Sequence, residues 1–563
     1  MSNITQFTFM STTWLQQLVG DVDVTKLTPA QAWVPQGNNA TPKQPKDSIG
    51  YYPGGPAISN SVPNQALWSD SGDVKAQQTS NLLGYHFNVF GSDKAKSFTG
   101  PDGNLLFLLG DIRGQTALPY DTIAWSDTAD PEAAKQGLIL TCWTSINPCI
   151  SGQPQNKSDN SNAYTLLVFP NQGASKANPL DLTFTANDMG ADNAPHSGVT
   201  IPPYTGNPEA STYVVLRFNQ LIIKNSTQQI GTGWASVLTK LKIPATIGAA
   251  DPTTSFTYLR VLSQLDFTLL PTGGVVSGVA PLPAPTTNPC FTQTALHCYD
   301  SSYPSYANAN LPVPAAGQGY VLVFGSGTFR GPLWVTHPPM EYISSYDRSS
   351  IYLSATPYAE FESGTGTVYF QARGTTWSAP SANPLHTQCW PILGGTPTVP
   401  TVTGIGDFSV VCLLNKCAQV PELWLMMCDG SGFPGIMLYW SPTPWGPWQP
   451  ASGVPVFANT NGDGTGPQAV PSGAPFVQDF QKPGNHLNGP VIGSENKTFN
   501  PKKDVAPPFK VYGPMAIEKF CKMSASSGAG GTTVVTLTVY WTFCTWIPYY
   551  AVLMKSEFTL VVT

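Results

Sequence analysis

The apolar residues of this chain fall in short runs punctuated by Gly, Pro, Asn and Asp. Many of the runs are rich in β-branched and aromatic residues, and patches of them alternate apolar and polar with the period of two that marks a strand. In the first half this predicts strands over 104–109, 137–143, 164–169 and 182–185, with the strongest over 212–224 (TYVVLRFNQLIIK) and 256–270 (FTYLRVLSQLDFTLL). In the second half it predicts strands over 320–324, 351–354, 367–372, 408–414, 423–427, 436–440, 532–543 and 557–562. Three segments read as helix instead: 13–19, 515–523 and 233–243, where Trp234, Val237, Leu238 and Leu241 fall at helical spacing.

The punctuation also suggests an organisation. Residues 1–60 read as an extended, Pro- and Asn-rich N-terminal arm, followed by a β-sandwich domain over 61–270. Residues 271–289 (PTGGVVSGVAPLPAPTTNP) have the composition of a linker, Gly for freedom and Pro for an extended backbone. A second β-rich domain follows over 290–563, interrupted by a long Gly-, Pro-, Asn- and Thr-rich stretch at 441–508. That stretch exceeds the length of an ordinary connection, which marks it as surface loops or as a wrap around a neighbouring subunit. No internal repeat of fixed period is visible.

Composition sharpens this to an all-β chain. Charged residues make up 11% of the 563, against about 25% in ordinary soluble proteins. With 52 Gly and 54 Pro as well, long helices with charged outer faces are excluded. Disorder is excluded by 15 Trp, 22 Tyr and 26 Phe, which supply a large apolar payload. A net charge of −6 and the absence of any basic arm predict weak contact with a nucleic-acid genome. Residues 1–20 lack a basic residue and an uninterrupted apolar run, so no secretory signal is expected, and the most apolar stretch, 534–553, alternates like a strand instead of a membrane helix. The ten cysteines form no CxxC pair and read as reduced core thiols, with Cys142–Cys149 and Cys290–Cys298 as loops short enough to close in an oxidising medium.

Chemistry-bearing motifs are scarce. There is no GxSxG, no Walker loop and no GxGxxG, and the six histidines stand in unrelated contexts. His297-Cys298 and His386-x-x-Cys389 each lack a second pair at zinc spacing. Asn459, Asn461 and Asp463 resemble the first half of a calcium loop, but Val470 stands where its bidentate Glu belongs. They remain a weak calcium candidate; no cofactor is expected. Residues 436–449 (IMLYWSPTPWGPWQ) form the most aromatic segment, and Tyr439, Trp440, Trp445 and Trp448 are the candidate receptor or glycan contacts, because aromatic rings stack on sugar faces. The expectation is a binding or structural protein, not an enzyme.

All-β texture, low charge, an uncharged arm and long decorated loops together resemble the coat proteins of non-enveloped viruses, most of all the calicivirus-like and picorna-like group. The resemblance rests on general organisation, and no functional residue is carried over from it. It implies a jelly-roll-like shell domain plus a protruding β-domain and assembly from copies of itself, with other coat proteins as further partners. It also implies host attachment through loops and a location in the virion after synthesis in host cytoplasm, with no membrane partner. A phage-type tail fibre or lectin-like adhesin that binds glycans is the alternative, separated from the coat reading by trimers and glycan binding in place of closed particles.

Overall fold

The computed structural model describes residues 4–19, 92, 94–110, 121–132, 138–145 apart from 139 and 143, 165–166, 193–222, 229–242, 255–264, 291–312, 314, 318–326, 350–372, 376–378, 390–393, 405–430, 435–451, 455–458, 510–546 and 551–563. Among the described residues every long element is a strand, so the all-β expectation holds. Strand β1 (Ile4–Val19) comes first. A four-stranded sheet follows, β2 (Lys96–Thr99), β3 (Leu105–Leu109), β4 (Thr122–Ser126) and β5 (Thr141–Cys142), then a short pair, β6 (Thr144–Ser145) and β7 (Thr165–Leu166). The second sheet holds β8 (Asn193–Ile201), β9 (Ser211–Ile222), β10 (Gln229–Lys242) and β11 (Ser255–Gln264). The third holds β12 (Gln293–Tyr299), β13 (Tyr320–Ser326), β14 (Tyr352–Pro357), β15 (Val368–Ala372) and β16 (Thr376–Trp377). The fourth holds β17 (Ile405–Cys417), β18 (Val420–Gly430), β19 (Gly435–Ser441), β20 (Gln449–Pro450) and β21 (Phe457–Ala458). The fifth holds β22 (Lys510–Ala516), β23 (Lys522–Ser527), β24 (Thr533–Trp546) and β25 (Ala551–Val562), and β1 joins it by pairing antiparallel with β25 from Ile4–Val562 to Val19–Ala551.

The sheets are antiparallel, the first three as meanders, while β20 and β21 both pair with β19 in the fourth and β22 and β23 both pair with β24 in the fifth. Strands β2, β8, β12, β17 and β22 are the first of the five, β1 apart, and lie innermost. Those first strands touch in order around a circle, β2 to β8, β8 to β12, β12 to β17, β17 to β22 and β22 back to β2. Five sheets closed in this way make the arrangement of a five-bladed β-propeller. The sheets therefore do not form two facing pairs; each packs one face on the sheet before it and the other on the sheet after it. Four of the cores between neighbours are continuous clusters of buried side chains, such as Val199, Tyr213 and Val215 of the second sheet against Phe291, Leu296 and Val323 of the third. Between the first and second sheets the backbone of Gly198 sits directly under the Phe98 ring, an approach that leaves no room for a Cβ. The core of the second and third sheets spans the expected linker, and 271–289 itself lies outside the described residues.

Burial from both sides explains the texture of the sequence. LLFLL in β3 and YVLVFGS in β13 are buried at every position, so these strands show runs in place of alternation. It also corrects the three helical expectations. Residues 233–242 belong to β10, where adjacent Val237 and Leu238 point to opposite faces and are both fully buried, which imitates helical spacing. Residues 13–19 belong to β1, and 515–523 run from the end of β22 through a turn into β23. The expected N-terminal arm is corrected over 4–19: its strand adds to the sheet of its own chain. There Phe7 stacks on Trp440 of the fourth sheet, centroids 5.4 Å apart, and meets Phe558 edge-on at 5.5 Å.

Candidate functional site

Two features of the ring have the chemistry of a site. The first lies at its centre, where Lys96, His196, Gln293 and Asp407 all stand within the opening residues of inner strands and so share one level. The carboxylate of Asp407, fully buried, has its Oδ1 3.4 Å from Lys96 Nζ, 3.4 Å from Arg217 Nη1 and 3.5 Å from His196 Nε2. Lys96 also reaches His196 Nδ1 and the Phe408 carbonyl, each at 3.4 Å. An ammonium only donates, so His196 Nδ1 is the acceptor and its proton sits on Nε2, toward Asp407. Burial pushes Lys96 down to about 8 against the opposing pull of Asp407. Burial, helped by Lys96 and Arg217, holds His196 well below its ordinary value, in the neutral form. Burial alone would raise Asp407, but Lys94, Lys96 and Arg217 outweigh it and keep the group ionised.

The rest of the centre ties neighbouring strands together. Ser197 and Thr294 share a hydrogen bond of 2.8 Å, and Gln293 donates to the Gly406 carbonyl. Asp429 accepts the N–H groups of Asp407 at 2.7 Å and Gly513 at 3.0 Å, and Ser409 accepts that of Ala516 at 3.3 Å. The space left is about 20 Å³, enough for one water-sized species and too small for an organic substrate.

The second feature is a cleft of about 690 Å³ at the opposite end of the ring. It is formed where β8 leads into β9 and β12 leads into β13; Cys298 Sγ donates to the Thr200 carbonyl at 3.3 Å, which joins these inner strands just before both turn. Its walls carry Tyr204 and Tyr306, with the edge of the buried Tyr358, and Asp300, Asn310 and Gln318, and among the described residues no Lys, Arg or His lines it. The loop over 300–312 is held from behind. Ser305 gives its N–H and hydroxyl to the buried Glu422 at 2.7 and 2.5 Å, Trp424 Nε1 donates to the same carboxylate at 2.6 Å, and Asp300 Oδ1 caps the Ser302 N–H at 2.9 Å. Tyr306 rests on Tyr299 with centroids 5.3 Å apart, and Tyr204 lies 6.0 Å from Tyr358.

The aromatic segment singled out in the sequence is not this cleft. Tyr439, Trp440 and Trp448 are at most 6% exposed and belong to the cores between the third, fourth and fifth sheets, and half-buried Trp445 packs beside them. This corrects the assignment of Tyr439, Trp440 and Trp448 as receptor or glycan contacts, because burial leaves their rings no face for a ligand. Asn459, Asn461 and Asp463 lie outside the described residues, as do His386 and Cys389. His297 is engaged by Tyr303 at 2.9 Å and by the Trp424 ring, and among the described residues no three His, Cys, Asp or Glu side chains converge as metal ligands. Cys298 is a free thiol, so the Cys290–Cys298 loop is not closed by a disulfide; Cys412, Cys417, Cys428 and Cys521 are also free and buried. No described helix is long and apolar enough to cross a membrane. Sequence reading missed both features, since Lys96, His196, Arg217 and Asp407 are scattered over more than 300 positions, and the three cleft tyrosines stand singly in loops.

No family model and no curated protein matches the chain. Solved structures align along most of its length at low similarity. A protein from Bacteroides ovatus named only as a hydrolase is 10% identical with a TM-score of 0.38, over 86% of this chain and 89% of that one. An α-L-arabinanase from Penicillium chrysogenum, complexed with arabinobiose, is 9% identical with a TM-score of 0.26, over 82% and 93%. An α-L-arabinofuranosidase from Fusarium graminearum, in complex with an iminosugar inhibitor, is 8% identical with a TM-score of 0.25, over 83% and 98%. These solved structures are named as hydrolases, contrary to the expectation of a protein that is not an enzyme. At these scores and identities no activity, substrate or residue role passes from them to this chain.

Proposed function

We propose that the protein is a glycan-binding protein, and that the tyrosine-walled cleft is where it holds a neutral oligosaccharide. The observation that carries this reading is the composition of the cleft: among the described residues it has aromatic rings, amides, hydroxyls and one carboxylate, with no cation, on a loop anchored by Glu422. Aromatic faces pack against the C–H faces of a sugar ring, while Asn310, Gln318 and Asp300 have the donors and acceptors that hydroxyl groups require. A pre-set wall limits the entropy lost on binding. Calorimetry against a panel of neutral oligosaccharides is the test, with Tyr204→Ala and Tyr306→Ala each expected to weaken binding at least about tenfold, or 1.4 kcal/mol. A panel with no binder, or variants that bind like the parent, would dismiss the reading. Assaying the same mixtures for new reducing ends separates holding a glycan from cleaving it.

A second reading, the self-assembling coat protein, is favoured by β1. It ends the strand order of its sheet, carries no charged residue, Gly or Pro over 16 residues, and exposes Met10 to 59%. Outer strands without charge or Pro tend to accept a further strand from another copy. Light scattering and negative-stain microscopy across salt and pH test it, and a strictly monomeric protein would remove it.

A further inference from the structure

Among the described residues the cleft wall carries a single charged side chain, Asp300, and the fold gives it a fixed seat. Asp300 directly follows β12. Its carbonyl accepts the Tyr303 N–H at 3.1 Å, and its Oδ1 accepts the Ser302 N–H at 2.9 Å. From behind, the Gly319 backbone comes so close that a Cβ there would lie 2.7 Å from the Asp300 Cβ. Main chain and side chain are therefore both held, and among the described residues no cation forms an ion pair with the carboxylate. Its charge reaches the aromatic walls. Burial and then Asp300 raise the Tyr306 hydroxyl, and at Tyr358 the same charge adds to burial and to Cys298. The other polar side chains of the wall, Ser301, Ser302, Asn310 and Gln318, are uncharged and do not offset it. A cleft lined by one sign of charge focuses that field on whatever enters it. An ionised carboxylate only accepts hydrogen bonds, so it suits a sugar hydroxyl, which donates, and repels a sugar carboxylate, which has no proton to give.

We propose that Asp300 is the specificity-determining residue of the cleft: it admits oligosaccharides of hydroxyl-bearing sugars and turns away those of uronic acids. The role rests on the glycan reading above and adds to it the basis of a choice between sugars of one shape. A uronic acid differs from its parent hexose only in carrying a carboxylate where the parent has its primary alcohol. Stacking on Tyr204 and Tyr306 is the same for both, so the choice falls to a repulsive group placed against the wrong one.

The experiment is calorimetry on the full chain at neutral pH and low ionic strength. The ligands are tetrasaccharides of glucose, galactose and mannose, each beside the tetramer of its uronic acid with the same linkage. The expected result is that a neutral tetramer binds and its acidic counterpart binds at least about tenfold more weakly. The contrast should shrink as salt is added, because salt screens the repulsion. Asp300→Asn, whose amide oxygen can still accept the Ser302 N–H, is expected to bring the two affinities together; Asp300→Lys is expected to favour the acid. The readout is the ratio of the two affinities, so a loss common to both sugars does not move it. If Asp300→Lys fails to fold, the ratio in Asp300→Asn still decides. A parent protein that binds both members of a pair alike, or an Asn variant that keeps the parent's ratio, would overturn the role of Asp300 and leave the glycan site standing. Failure of every neutral tetramer to bind would overturn the role as well, and would count against the glycan reading itself.

Discussion

Ser305 places both its backbone N–H and its hydroxyl on the carboxylate of Glu422, which lies 117 positions away on the neighbouring sheet. One buried side chain therefore sets the position of a cleft wall built by a different sheet. Glu422→Ala would strand three donors, those of Ser305 and the Trp424 indole. Each buried donor left unpaired costs about 1–3 kcal/mol, so a loss of about 3 kcal/mol or more is expected in urea unfolding, with weaker ligand binding besides. A change under about 0.5 kcal/mol would mean that the carboxylate does not anchor the loop.

Gly198 and Phe98 test the seam between the first two sheets. A Cβ at 198 runs into the Phe98 ring, and overpacking of this kind costs about 1–3 kcal/mol. Gly198→Ala is expected to lose that much in denaturant unfolding, and Phe98→Leu in the same chain to restore part of it. Two losses that merely add would show that the residues do not meet.

The core assignment of the aromatic segment separates stability from binding. Trp448, 4% exposed, packs at 6.4 Å from Phe324, so Trp448→Ala is expected to cost about 3–5 kcal/mol. Protein that still folds should keep its oligosaccharide affinity. A glycan-binding defect at full stability would return this segment to the surface.

His196 predicts an acid limb. Its folded pKa lies well below 6.5, so between that value and 6.5 the unfolded chain binds a proton that the folded chain does not. Stability contributed by the neutral ring is therefore fully present above 6.5 and falls as pH drops through this window. Glu518, pushed up to about 7 by burial, works in the opposite direction between 4.5 and 7, so the comparison must be with a variant and not with the raw profile. In His196→Gln the slope of stability against pH below 6.5 should flatten; an unchanged slope would clear His196 of the effect.

How much of this was legible in sequence depends on which force wrote the pattern. Strand content was legible because β-branched and aromatic runs such as TYVVLRF in β9 have no helical counterpart. The ring was not, because its defining contacts join inner strands across loops of no fixed length, and each sheet's apolar text is the same as that of a sandwich. Residues 233–243 misread as helix because burial on both faces removes the period of two at Val237 and Leu238. The aromatic candidates misled for a related reason: Trp440 and Trp448 are what a core between wide sheets needs, and their neighbouring prolines look like surface text. The charge cluster left no local signal at all, since Lys96, His196, Arg217 and Asp407 are ordinary residues until four strands bring the first three within 3.5 Å of the Asp407 carboxylate.

The pairing of β1 with β25 also governs how the molecule can be made. On the ribosome, Ile4 emerges long before its partner Val562, so β1 has no neighbour until β25 is made. Contacts this remote in sequence form slowly, and a growing chain with an unsealed, uncharged strand is open to pairing with another nascent copy. Production is thus expected to gain from slow translation, low temperature or a chaperone that shields the first sixteen-residue strand until its partner arrives.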